Sequence, residues 1–93
     1  MEKIKVIAMM SALAQPTRLE VFMALSRRGA EGLQVGDLAT LANTPANTMS
    51  THLSILARAG LITASKSGRT VTYTVAPDAV TELAVFLLEC GKA

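Results

Sequence analysis

The sequence predicts a mainly α domain with one small β-hairpin: five helices, with two strands between the fourth and the fifth. Three observations predict this. Apolar residues recur at helical spacing from residue 2 to about residue 60. The period then falls to two over ITASKSGRTVTYTV, Ile62 to Val75. A helical stretch returns after Pro77.

Composition sets the bounds. A length of 93 residues predicts one domain, residues 1–93, with a modest core. Apolar residues make up 51% and charged residues 17%, which excludes a disordered chain. That is more apolar surface than a monomer of this size can readily hide, so a subunit contact is expected. Cys90 is the single cysteine, which excludes an intrachain disulfide and a disulfide-stapled scaffold. No apolar run is long enough to span a membrane. The opening MEKIKVIAMMSALA, with Ala12-Leu13-Ala14, superficially matches a secretion signal. Its apolar run is at the short limit and Pro16 would closely follow the cut. It therefore reads as a helix, and the protein as cytoplasmic.

The elements follow in order. Residues 2–14 carry Ile4, Val6, Ile7, Met9, Met10 and Leu13 on more than one stripe, the pattern of a helix buried on more than one side. Gln15-Pro16 breaks the chain, and Pro16 suits the first turn of a second helix. There Leu19, Phe22, Met23 and Leu25 are expected inward, with Arg18, Glu20, Arg27 and Arg28 outward. Gly29 and Gly32 end it in a loop. VGDLATLA, residues 35–42, forms a short third helix with Val35, Leu38 and Leu41 inward. Asn43 tolerates the left-handed conformation that a tight turn between helices needs. Thr44 is expected to cap the fourth helix, with Pro45 at its first position. In that helix, residues 45–59, Met49, Leu53 and Leu56 face the core, Gly60 stops the helix, and Leu61 packs back behind it. In the hairpin, residues 62–75, Val71, Tyr73 and Val75 alternate with Thr70, Thr72 and Thr74. Ser67-Gly68 is expected as the turn, with Lys66 and Arg69 at the tip. Pro77 and Asp78 open the last helix, residues 78–90. Its apolar set is again wider than one stripe.

The fourth helix has an unusual outer face. Asn47, Thr51, Ser54 and Arg58 fall at i, i+4, i+7 and i+11, with Thr48 and Ser50 flanking them. No acidic residue occurs between Asp37 and Asp78, a gap that holds His52, Arg58, Lys66 and Arg69. A basic, hydroxyl-rich, carboxylate-free region suits phosphate contact. Two short helices, a tight turn and a following hairpin make a winged helix-turn-helix, whose second helix enters the major groove of double-stranded DNA. Asn47 can pair bidentately with an adenine edge, and Thr48 and Thr51 can offer a hydroxyl or a methyl to a base. Ser50 or His52 can reach a sugar or phosphate, and Arg58 suits backbone charge. Lys66 and Arg69 can enter or flank a narrow minor groove. Duller roles stand beside these. Asn47 can support the helix start, His52 can bridge helices, and Lys66 and Arg69 can solubilise an exposed hairpin.

ALAQPTRLEVFMAL, LQVGDLATLA, NTMSTHLSILARAGLI and SKSGRTVTYTV, in this order and spacing, resemble the ArsR/SmtB family of bacterial repressors. The resemblance covers nearly the whole chain. It implies a homodimer joined through the first and last helices, and repression of a nearby operon that an inducer relieves. The sequence also departs from that family. Gln15 stands where an Asp usually caps the second helix, so a weaker helix start is expected. Gln34 and Gly36 occupy the two positions where the family carries metal-binding cysteines. Asp78 is followed by Ala79 and Val80 rather than by the D-x-H of the family's last-helix site. Neither metal site is intact, and no cofactor is expected. One His and one Cys cannot complete a three- or four-ligand site within one subunit. Cys90 stands as a candidate thiol sensor, able to meet its counterpart across a dimer as a disulfide or a shared soft-metal site; the alternative is a plain small hydrophobe, and the identity of any small-molecule or soft-metal inducer is not given by the sequence.

The leading reading is a dimeric, sequence-specific repressor. A winged-helix protein-interaction module is the alternative, because fold alone does not fix function. An enzyme is disfavoured: no acid pair, nucleophile–base pair or phosphate loop is present. Ser50 and His52, two residues apart on a helix, do not face each other.

Overall fold

Met49, Leu53 and Leu56 point into the centre of the molecule and are fully buried. In the computed structural model, which describes residues 1–92, they belong to helix α4, Ala46–Arg58. Around it stand α1 (Lys3–Leu13), α2 (Pro16–Arg28), a short 3₁₀ turn (Gly29–Glu31) and α3 (Val35–Leu41). The antiparallel strands β1 (Ile62–Ser67) and β2 (Thr70–Val75) and helix α5 (Pro77–Cys90) complete the chain. The core joins Val6 and Met9 of α1, Val21 and Leu25 of α2, Leu38 of α3, the α4 triad, Leu61, Ile62 and Leu83 of α5. Burying each large side chain contributes about 1.5–3 kcal/mol. The five helices and two-stranded hairpin match the predicted fold class.

The turn that sets α4 against α3 is built by the backbone. Asn43 has φ 48°, the left-handed conformation expected of it. Its N–H donates to the Thr40 carbonyl at 3.2 Å, and the Thr44 N–H donates to the Ala39 carbonyl at 2.9 Å. These two bonds are the Schellman closure of a helix C-terminus. The same closure ends α4. Gly60 has φ 82°, its N–H donates to Ala57, and the Leu61 N–H donates to Leu56. Leu61 thereby packs, fully buried, behind the helix it terminates.

Two expectations about helix starts are corrected. Thr44 does not cap α4: its hydroxyl donates to the Ala42 carbonyl at 3.0 Å, back toward α3. Pro45 holds the N-cap position, and no side chain caps the helix. Gln15 is no weak start for α2, because its Oε1 accepts from the Arg18 N–H at 2.7 Å. The longer amide reaches the same N–H that a capping Asp would.

Several inward assignments are also corrected. On α2 the buried residues are Val21, Ala24 and Leu25, whereas Leu19 and Met23 are exposed and Phe22 is half-buried. Leu41 of α3 is 46% exposed. Helix α1 buries one stripe only, Val6, Met9 and Ala12, and leaves Ile4, Ile7 and Met10 open. On α5 only Leu83 is buried, while Val85, Leu87 and Leu88 are open. A single copy thus covers one stripe of each wide apolar helix.

The hairpin turn is one residue later than predicted. Ser67 pairs with Thr70, so Gly68 and Arg69 form the two-residue loop. Gly68 at φ 61° supplies the positive φ that such a loop needs at its first position. Leu33 adds an isolated bridge to β2, with Leu33 N–H to Tyr73 O at 3.1 Å and Tyr73 N–H to Leu33 O at 2.9 Å. The loop after α2 therefore ties the hairpin's base to the helical body. Gly32, at φ 65°, permits this approach: a Cβ there would meet the Tyr73 carbonyl oxygen and the methyls of Thr72 and Thr74.

Candidate nucleic-acid interface

Helix α4 turns its apolar triad inward, and Asn47, Thr48, Ser50, Thr51, Ser54 and Arg58 all lie exposed on its other side. The Thr51 hydroxyl donates to the Asn47 carbonyl at 3.4 Å, which orients the Thr51 side chain. The first backbone bond of α4 runs from the Met49 N–H to the Pro45 carbonyl. The N–H groups of Ala46, Asn47 and Thr48 therefore open the helix with no side-chain cap over them. Such a terminus carries partial positive charge.

The electrostatics of the surrounding surface are one-sided. Neither α4 nor the hairpin contains a carboxylate. Among the described residues the ion pairs are Arg28–Glu31 at 3.0 Å and Lys92–Glu89 at 3.4 Å, so neither engages Arg58, Lys66 or Arg69. Arg69 lies in the hairpin loop, whereas Lys66 sits one pair back, opposite Val71. Both are exposed.

His52 stands apart from the exposed row. It is half-buried, and its Nδ1 lies 3.4 Å from Arg18 Nη1 on α2. Arg18 is half-buried too, contrary to its expected outward position, and its Nε donates to the Ala12 carbonyl at 2.7 Å. The outward expectation for Arg18 rests on the rule that an arginine in an amphipathic helix ordinarily marks the solvated face. The one local signal for Arg18 was its place three residues after Gln15, the capping residue.

Cys90 is exposed at the end of α5. Among the described residues no cluster of three or more His, Cys, Asp and Glu side chains could hold a metal ion. No helix among them is long and apolar enough to cross a membrane.

Comparison with known proteins places these features in company. A family model described as a helix-turn-helix domain matches residues 13–64, from the end of α1 into β1. No protein of curated function matches the chain. Solved structures do. An ArsR-like transcriptional regulator from Rhodococcus sp. RHA1 is 25% identical with a TM-score of 0.83, the match covering 96% of this chain and 81% of that one. A homodimeric winged helix-turn-helix DNA-binding domain from Mycobacterium bovis, described as a possible ArsR-family regulator, is 27% identical with a TM-score of 0.72, covering 95% and 80%. HlyU from Vibrio cholerae is 28% identical with a TM-score of 0.71, covering 97% and 99%.

Proposed function

The chain belongs to the ArsR family of DNA-binding winged helix-turn-helix transcription regulators, and we propose that it acts as a homodimeric repressor of an inverted-repeat operator. The observation that carries this reading is the exposed, carboxylate-free row on α4, continued by Arg69 in the hairpin loop, which joins no ion pair among the described residues. In the bound state α4 lies in the major groove. Asn47 reads an adenine edge, Thr48 and Thr51 contact neighbouring bases, and Ser50 and Ser54 donate to the backbone. Arg58 supplies charge to phosphate. Lys66 and Arg69 approach the minor groove, where a narrow, negative channel attracts them.

Dimerisation joins α1 and α5 to their counterparts. Ile4 is 81% exposed and Leu88 67%, on helices whose opposite stripes are buried. Open apolar faces of this kind mark interaction sites, and the homodimeric description of the Mycobacterium bovis domain supports a dimer as such. Two-fold symmetry then places two α4 helices on half-sites about one DNA turn apart or a multiple of it. Release by an inducer, where it occurs, uses something other than a conventional metal site. Cys90 is the one thiol available for it.

The test is fluorescence anisotropy of the reduced protein on DNA from upstream of its own gene, with a scrambled fragment of equal length, at ~150 mM salt. Tight binding to the upstream DNA alone is the expected result. Binding to neither fragment would favour the protein-interaction module.

A further inference from the structure

Arg18 joins three hydrogen-bonding contacts, to two other elements of the fold and to its own helix start. Its backbone N–H is capped by Gln15, its Nε donates to the Ala12 carbonyl of α1, and its Nη1 reaches His52 Nδ1 on α4. A guanidinium only donates, so in this contact His52 Nδ1 is the group placed to accept. Ala12 lies in the last turn of α1, where carbonyls lack partners within the helix. One side chain therefore ties the end of α1 and the start of α2 to the middle of α4. Apolar burial elsewhere in the core is non-directional. A charge-assisted hydrogen bond in a part-buried site is directional and stronger than a neutral one.

We propose that Arg18, acting through His52, is a positioning residue that sets the angle of α4 relative to α1 and thereby the spacing of half-sites that the dimer accepts. The proposal rests on the reading of α1 as a dimer helix and α4 as the recognition helix. Its logic is geometric. In a two-fold dimer the distance between the two recognition helices depends on how rigidly each is held to the interface. His52 faces Arg18 at one residue's remove from Thr51. A roll of α4 about its axis moves Asn47 and Thr51 sideways in the groove. No carboxylate pairs with Arg18 among the described residues, so His52 and the Ala12 carbonyl are the groups that orient its guanidinium.

The experiment uses a series of operators whose half-sites are moved apart or together by one and two base pairs. The operator is first found by selection on random DNA with the wild-type protein. Wild type is expected to prefer one spacing by at least about tenfold, the scale of one hydrogen bond to a charged group. Arg18→Met and His52→Leu are each expected to flatten that preference while leaving the preferred base at each half-site position unchanged. Their double variant should do no worse than either single one, because both remove the same link. His52→Asn, which keeps an acceptor near the Nδ1 position, should retain the wild-type spacing profile. Asn47→Ala is the control, expected to lose base preference and keep spacing preference.

Should Arg18→Met fold poorly by thermal melting, His52→Leu and His52→Asn alone decide the matter. A His52→Leu protein with the wild-type spacing profile would overturn the proposal, as would additive losses in the double variant. A wild type that selects no operator would instead overturn the reading on which the proposal rests.

Discussion

The hydroxyl of Thr51 lies 3.4 Å from the carbonyl oxygen of Asn47, one turn earlier on α4. The two residues that the repeat of the helix places on one exposed row are thus linked to each other as well as open to a partner. Asn47→Ala removes the side-chain amide and leaves this backbone carbonyl in place. It should cost about 1–3 kcal/mol of operator affinity and relax preference at a single base pair. Anisotropy titrations on the operator and on single-base variants check this. Equal losses on operator and scrambled DNA would remove Asn47 from base reading.

Arg69 occupies a loop position whose φ is not positive, so alanine fits there without strain. Arg69→Ala should weaken binding to all sequences alike and lower the slope of log K against log salt by about one. Lys66→Ala, one pair further from the loop, should act in the same sense. A change in sequence preference from either variant would point to a base contact instead.

The open stripes of α1 and α5 predict association. Ile4→Glu or Leu88→Glu places a charge on a face that contributes little to its own subunit's core. Each variant should keep its helical circular dichroism and sediment as a monomer where wild type sediments as a dimer. Operator affinity should fall as dimerisation is lost. Wild type sedimenting as a monomer at tens of micromolar would refute the dimer.

Two glycines predict opposite effects on stability. Gly36 lies within α3 at an ordinary φ with open space around it, so Gly36→Ala should stabilise by roughly 0.4–1 kcal/mol. Gly32 has a positive φ, and a Cβ there would strike the Tyr73 carbonyl oxygen. Gly32→Ala should destabilise by about 1–3 kcal/mol through backbone strain alone. Urea denaturation of the two variants beside wild type measures both.

By itself the sequence determined the features that a few neighbouring residues encode. Met49, Leu53 and Leu56 specify an inward face because helical spacing repeats within one element. Asn43 and Gly60 mark where α3 and α4 end because few residues tolerate a positive φ. The exposed row on α4 follows from the same spacing, and the hairpin from a period of two. Tertiary structure alone decided which of several apolar stripes is covered, for that depends on distant partners. Val21 is buried and Leu19 exposed on the same helix, and Leu41 lies open although its spacing points inward. It also decided that Leu33 pairs with Tyr73, and that Arg18 meets a histidine 34 residues further along the chain. Local spacing carries no information about such meetings, because they arise only when elements distant in the chain close on a shared core.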